Sequence, residues 1–94
     1  MKNPKLKSTK VIDIVVEIVS DYFELEPKTI FGNTRKYYPK TARQIIHYLL
    51  RKYTKLGLQD IGNISLLYGR DRAHDHASVL FSCKSVENNL ETDQ

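Results

Sequence analysis

Between His74 and Cys83 the chain gathers two imidazoles, a carboxylate, two hydroxyls and a thiol, in the order His74-Asp75-His76-Ala77-Ser78-Val79-Leu80-Phe81-Ser82-Cys83. Such groups can hold a metal, make a nucleophile with its base, or exchange hydrogen bonds with a ligand. Neighbouring His and Asp side chains at a helix start point apart and do not readily converge on one ion. The chain also has no Cys-x-x-Cys pair, so no metal and no cofactor are expected. No Ser/His/Asp or paired-carboxylate arrangement has a supporting motif, so the chain does not read as an enzyme. Hydrogen bonding remains. The segment from His74 to Ser78 is polar, short-sided and nearly uncharged, with Arg72 and Lys84 as cations on either side, which suits base edges better than phosphates.

A helix must present these groups. Asp75 is a good N-cap, because its carboxylate can accept from the free backbone N–H near Ser78. Val79, Leu80, Cys83, Val86 and Leu90 recur at steps of three and four, which gives one packing face, while His76, Ser78, Phe81, Ser82 and Lys84 point elsewhere. The outward face is expected to enter a DNA major groove, with His76 and Ser78 in reach of base edges. Cys83, as the single cysteine, forms no intramolecular disulfide and is expected in the core.

Charge layout supports a polyanionic partner. The 94-residue chain carries a net charge of +4, yet the block from Phe31 to Leu56 has seven cations and no anion. Balanced surface charge does not produce such a block, whereas a face turned to phosphates does. One small globular domain is expected at this length and composition. The longest apolar run, Ile14 to Val19, is interrupted by Glu17 and too short to cross a bilayer, and the first residues lack the apolar stretch of a signal peptide. A cytoplasmic protein with no membrane partner follows.

Taken in order, residues 1–8 read as a basic flexible tail and 91–94 as an acidic frayed one, with the folded unit over 9–90. Val11 to Tyr22 predicts a helix capped by Thr9, with Val11, Ile12, Val15, Ile18, Val19 and Tyr22 inward and Asp13, Glu17, Asp21 and Glu24 outward. Pro27 to Phe31 predicts a short helix, because proline suits its first position, and Gly32 ends it. Gly32 to Pro39 reads as an ordered loop that interleaves Arg35 and Lys36 with Tyr37 and Tyr38. Thr41-Ala42-Arg43-Gln44 fits a capping box and opens a helix to Leu56, stopped by Gly57. Its core stripe would be Ala42, Ile45, Ile46, Leu49, Tyr53 and Leu56. Arg43, His47, Arg51 and Lys55 would repeat along another face, where like charges repel unless an anion lies alongside. Leu58 to Ile64 predicts a short helix in which Leu58, Ile61 and Ile64 face inward and Gly62 admits a neighbouring helix closely. Tyr68 to His74 is a turn carrying Arg70 and Arg72. The result is an all-α fold of about five helices with a helix-turn-helix.

Several separate stretches resemble one family, the C-terminal DNA-binding domain of the bacterial replication initiator DnaA. Ser20-Asp21-Tyr22-Phe23-Glu24-Leu25 resembles the end of its first helix, Ala42-Arg43-Gln44 a helix start, and Leu58-Gln59-Asp60-Ile61-Gly62 its Leu-x-x-Ile-Gly. Most specific is Asp75-His76-Ala77-Ser78-Val79-Leu80, which is similar to Arg-Asp-His-Thr-Thr-Val. The resemblance implies sequence-specific binding of double-stranded DNA, as in replication initiation, with other replication proteins as further partners. It implies that Asp75, His76, Ala77 and Ser78 face base edges, that Arg35 reads the minor groove, and that Arg43, Gln44 and Arg51 contact phosphates. Lys36, Lys40, Lys55, Arg70 and Arg72 join the phosphate contacts as further cations of the basic block and turn. Two departures stand out: Ala77 replaces a usual Thr, and the connection from Gly62 to Asp75 is about twice as long as in the family. No Walker motif is present, so an excised domain or a small stand-alone relative, as from a phage or mobile element, is expected. The competing readings are a transcriptional regulator of such an element, and a protein-interaction module that turns the basic face to an acidic partner.

Overall fold

A computed structural model describes residues 4–32 and 36–92 as five helices: α1 (Pro4–Phe23), α2 (Pro27–Phe31), α3 (Tyr37–Tyr53), α4 (Leu58–Leu67) and α5 (His76–Thr92). No strand occurs among the described residues, and the chain is all-α as expected.

α1 starts at Pro4, a residue suited to the first helical position, and runs through Thr9, which is therefore not its cap. Residues 4–8, read as tail, are helical backbone. The helix closes on Glu24 in the left-handed region (φ 56°) with Leu25 N–H donating to Ser20 O at 3.0 Å, a Schellman ending without its usual glycine. Ile12, Val16 and Val19 are buried, but Ile18 is 60% exposed and Tyr22 is exposed as well. The inward face is rotated because Ile14, Val15, Val16 and Ile18 surround the helix with apolar groups. Period alone could then not choose between them; only the exposed acids at 13, 17 and 21 marked an outward line.

α2 has the predicted bounds, with Ile30 and Phe31 fully buried. α3 begins four residues before the expected Thr41. Pro39 sits in its first turn, where a missing N–H costs nothing, so Thr41 lies inside the helix and the capping box is not formed. α3 also ends early. The Thr54 hydroxyl and N–H both donate to Leu50 O, and Leu56 N–H donates to Thr54 Oγ at 3.1 Å. Gly57 consequently caps the start of α4 instead of stopping α3. Ala42, Ile46 and Leu50 form the buried line, while Ile45 and Leu49 are half-buried at its edges and Tyr53 is exposed. α4 runs one turn beyond Ile64 and closes on Gly69 (φ 98°) with Arg70 N–H donating to Ser65 O at 3.1 Å.

α3 is the centre, packed by each of the other four helices. Two polar links tie α3 to α5 and α4 to the turn that precedes α5. His47, placed on the basic stripe from its spacing, is only 1% exposed and its Nδ1 lies 3.1 Å from Ser82 Oγ. The Ser82 hydroxyl donates to Ser78 O at 3.1 Å, so Nδ1 of His47 is the donor. Ser82, read as outward, is thus buried. His74 pairs with the Ser65 hydroxyl, and the two imidazoles meet edge-to-face at 5.6 Å. Burial, then the mutual repulsion with His74 and the nearby Arg43, lowers His47 to about 3; burial, then Arg70 and Arg43, lowers His74 to about 4.

Two outcomes follow for stability. Leu50→Ala should cost about 2 to 5 kcal/mol and half-buried Leu49→Ala clearly less, measured by urea unfolding. Equal costs would contradict the face described. Both histidines have folded pKa values below the unfolded one, so their contribution is complete above about pH 6.5 and is lost as pH falls toward the folded values. Lowering the pH from 7.5 to 5, above most carboxylate titration, should remove about 2 kcal/mol of stability through His47 alone. A denaturation midpoint flat over that window would contradict its burial as the neutral form.

Candidate nucleic-acid interface

The start of α5 is held against α4 by backbone. His74 N–H donates to Gly62 O at 3.1 Å, and a Cβ on Gly62 would stand 2.0 Å from His74 O. Gly62, expected to admit a helix closely, admits the turn that delivers α5 and also faces Val79 of that helix, whose Cγ2 would lie 3.5 Å from such a Cβ. Arg70 braces the same turn through Nε to Arg72 O at 2.8 Å and Nη1 to Phe31 O and Gly32 O at 3.5 and 3.4 Å. Phe31 and Tyr68 stack at 5.1 Å between α2 and the turn.

From this seat α5 begins as predicted. The Asp75 carboxylate accepts from Ser78 N–H at 2.8 Å, and those hydrogen bonds hold its pKa below the usual carboxylate range. His76, Ala77 and Ser78 are all exposed. Asp75, Ala77 and Ser78 adjoin the first half of α3, whereas His76 lies outside the hollow they share with it. Lys40, Arg43, Gln44, His74, Asp75 and Ser78 share the walls of one open concavity of about 360 Å³. His47 lies at its base, and its Nε2 has no hydrogen-bond partner among the described residues. Two cations, an amide and a helix start therefore converge on one surface, an arrangement able to take an anion beside hydrogen-bonding groups.

The other expected contacts distribute differently. Arg43 donates from Nη1 to Ile30 O at 3.1 Å, and burial and Arg70 lower its pKa. One arm of its guanidinium therefore braces α2 while the side chain lines the concavity. Arg51, two turns on, lines a separate hollow with Lys52, Cys83 and Glu87. The stripe of Arg43, His47 and Arg51 is not one open ladder, because α5 crosses it at His47 and Ser82. Lys36, Lys40, Lys55 and Arg72 are exposed; Lys55 stands past the end of α3. Arg70 is half-buried and spent on carbonyls. Arg35 lies outside the described residues. Spacing did not reveal the His47–Ser82 link, which joins positions 35 residues apart, nor Phe81, which lines the concavity although it belongs to neither stripe. Among the described residues no group of three His, Cys, Asp or Glu is placed to hold a metal, and no helix is long and apolar enough to cross a membrane.

The tight seat makes a direct test possible. Gly62→Ala forces the His74 backbone to move, so it should destabilise by about 1 to 3 kcal/mol in spite of alanine's better helix propensity. A stabilised variant would show that the turn does not bear on α4.

Residues 12–86 match the family described as the bacterial DnaA protein helix-turn-helix. The chain is 37% identical over 83 residues to the chromosomal replication initiator protein DnaA of Flavobacterium psychrophilum, covering 88% of this chain and 16% of that protein. It is 35% identical over 91 residues to the protein of the same name from Lachnoclostridium phytofermentans, covering 97% of this chain and 19% of the relative. The Bacteroides thetaiotaomicron protein of that name is 37% identical over 83 residues, covering 88% and 16%. The chain thus spans less than a fifth of the length of these relatives. No solved structure matches it. With a match over most of its length and relatives at this identity, the chain belongs to the bacterial DnaA helix-turn-helix family.

Proposed function

We propose that this domain binds double-stranded DNA and reads its sequence with the start of α5 in the major groove. The observation that carries the reading is the pairing of an exposed, Asp75-capped helix start with Lys40, Arg43 and Gln44 of α3 around one concavity. In this reading His76 and Ser78 hydrogen-bond to base edges, the Ala77 methyl meets a thymine methyl, and Asp75 holds the helix start in register. Lys40, Gln44 and the free arm of Arg43 meet phosphates beside that groove, with Lys36, Arg51, Lys55 and Arg72 as outlying cations and Arg70 chiefly a brace. Arg35 completes the reading as a minor-groove contact, supported by the basic block in which it sits. No enzymatic step is assigned. The relatives' name, chromosomal replication initiator, supports a role in starting replication, carried out in the cytoplasm with other replication proteins as neighbours.

The test separates reading from holding. A preferred duplex is first selected from a randomised pool, and affinity is then measured on it and on a scrambled duplex at one salt concentration. His76→Ala should lose about 1 to 3 kcal/mol on the selected duplex and little on the scrambled one. Arg43→Ala should weaken both alike and flatten the slope of log K against log salt by about one unit. Equal losses for His76→Ala on both duplexes would remove the α5 start as the reader.

A further inference from the structure

A second surface adjoins the first and is richer in exposed aromatic rings than a duplex contact needs. Tyr22 meets Phe23 at 5.1 Å, Phe23 meets Tyr38 at 6.4 Å, and Tyr38 meets Tyr37 at 5.2 Å, which makes a run of rings from the end of α1 to the start of α3. Tyr37 and Tyr38 are 71% and 63% exposed, and Phe81 on α5 is 63% exposed. Tyr37 and Phe81 line opposite helices of a groove of about 480 Å³, with Lys40 and the amides of Gln44 and Asn89 also on its walls. The groove shares Lys40, Gln44 and Phe81 with the smaller concavity at the α5 start.

We propose that this groove binds single-stranded DNA, with bases stacking on Tyr37 and Phe81 while Lys40 meets the strand's backbone. Exposed rings cost free energy in water, and bases offer faces to cover them; in a duplex those faces are already stacked and out of reach. A proline-rich peptide would also suit aromatic walls. The charge decides against it: the rings of α3 lie in the block from 31 to 56 with seven cations and no anion, which favours a polyanion. Gln44 and Asn89 can hydrogen-bond to base edges without demanding one base, so sequence-tolerant binding is expected. The proposal goes beyond the duplex reading, since it uses ring faces on α3 that the major-groove contact leaves out, and either can fail alone.

The probe is a labelled oligothymidylate of about twelve nucleotides, a length of the order that one small domain covers. Saturable binding at low salt is expected. Tyr37→Ala should weaken it about 5- to 150-fold, the range that loss of one stacked base implies. The same variant should change affinity for a hairpin duplex by less than about twofold. Phe81→Ala should weaken the oligothymidylate likewise and Phe81→Tyr should restore it, while Ile18→Ser on the exposed side of α1 should alter neither ligand. Circular dichroism melts verify that each variant is folded. No oligothymidylate binding, or Tyr37→Ala losses that are equal on single strand and duplex, would overturn the proposal. Loss of duplex binding with the single-strand pattern intact would overturn only the duplex reading.

Discussion

The seat of the fifth helix depends on one backbone contact, the His74 N–H on Gly62 O across a gap that no Cβ can enter. It brings the turn down onto α4 and thereby sets where α5 starts. The neighbouring links then remove its remaining freedom: Ser65 holds the His74 ring, and His47 holds Ser82, whose hydroxyl in turn reaches Ser78 O. Each is a buried or half-buried polar pair, and such pairs specify one arrangement because breaking one leaves the other partner unsatisfied. The exposed groups from His76 to Ser78 are therefore carried on rigid backbone. A recognition surface needs that combination, since ordering a loose segment on binding would oppose affinity.

The long connection between α4 and α5 works within this scheme. A helix-turn-helix commonly uses three or four turn residues, whereas here the connection runs from Tyr68 to Asp75. The extra chain is not left loose. Gly69 turns it, Arg70 ties it to the carbonyls of Phe31 and Gly32, and Tyr68 stacks on Phe31. Arginines thus divide their roles. Arg70 is committed to the fold, Arg43 divides its donors between Ile30 O and the concavity, and Lys40 and Arg72 face solvent. A count of cations in the basic block overstates how many can meet an anion together.

How much of this was legible in the sequence varied with the kind of signal. The short helix at Pro27 and the start of α5 were readable to the residue, because proline at the first position and Asp at the N-cap are local chemistry. The all-α class followed from period. The bounds of α3 did not, because Thr41-Ala42-Arg43-Gln44 has capping chemistry that the chain does not use when Tyr37 and Pro39 extend the helix backward. The inward face of α1 was misplaced where apolar residues surround the helix. The largest loss concerned His47. Its spacing put it with Arg43 and Arg51, and only the crossing of α5 over α3 turns it into a buried donor. Of the candidate site, the residues at the α5 start and on the first half of α3 were legible as exposed helix-start and cationic groups, because local capping and a charge block mark them, and the fold brings several of them to one hollow. Phe81 and Tyr37 were not found as facing walls of a groove, because that relation exists only after α3 and α5 pack.

The central claim, that the α5 start reads DNA while α3 flanks it, is tested most directly by titrating isotopically labelled protein with a selected duplex and following each backbone amide by NMR. The largest shifts are expected at 75–78 and at 40–44, with α1 residues 12–22 unchanged. Shifts centred on α1, or spread over the basic block with 75–78 unmoved, would contradict it.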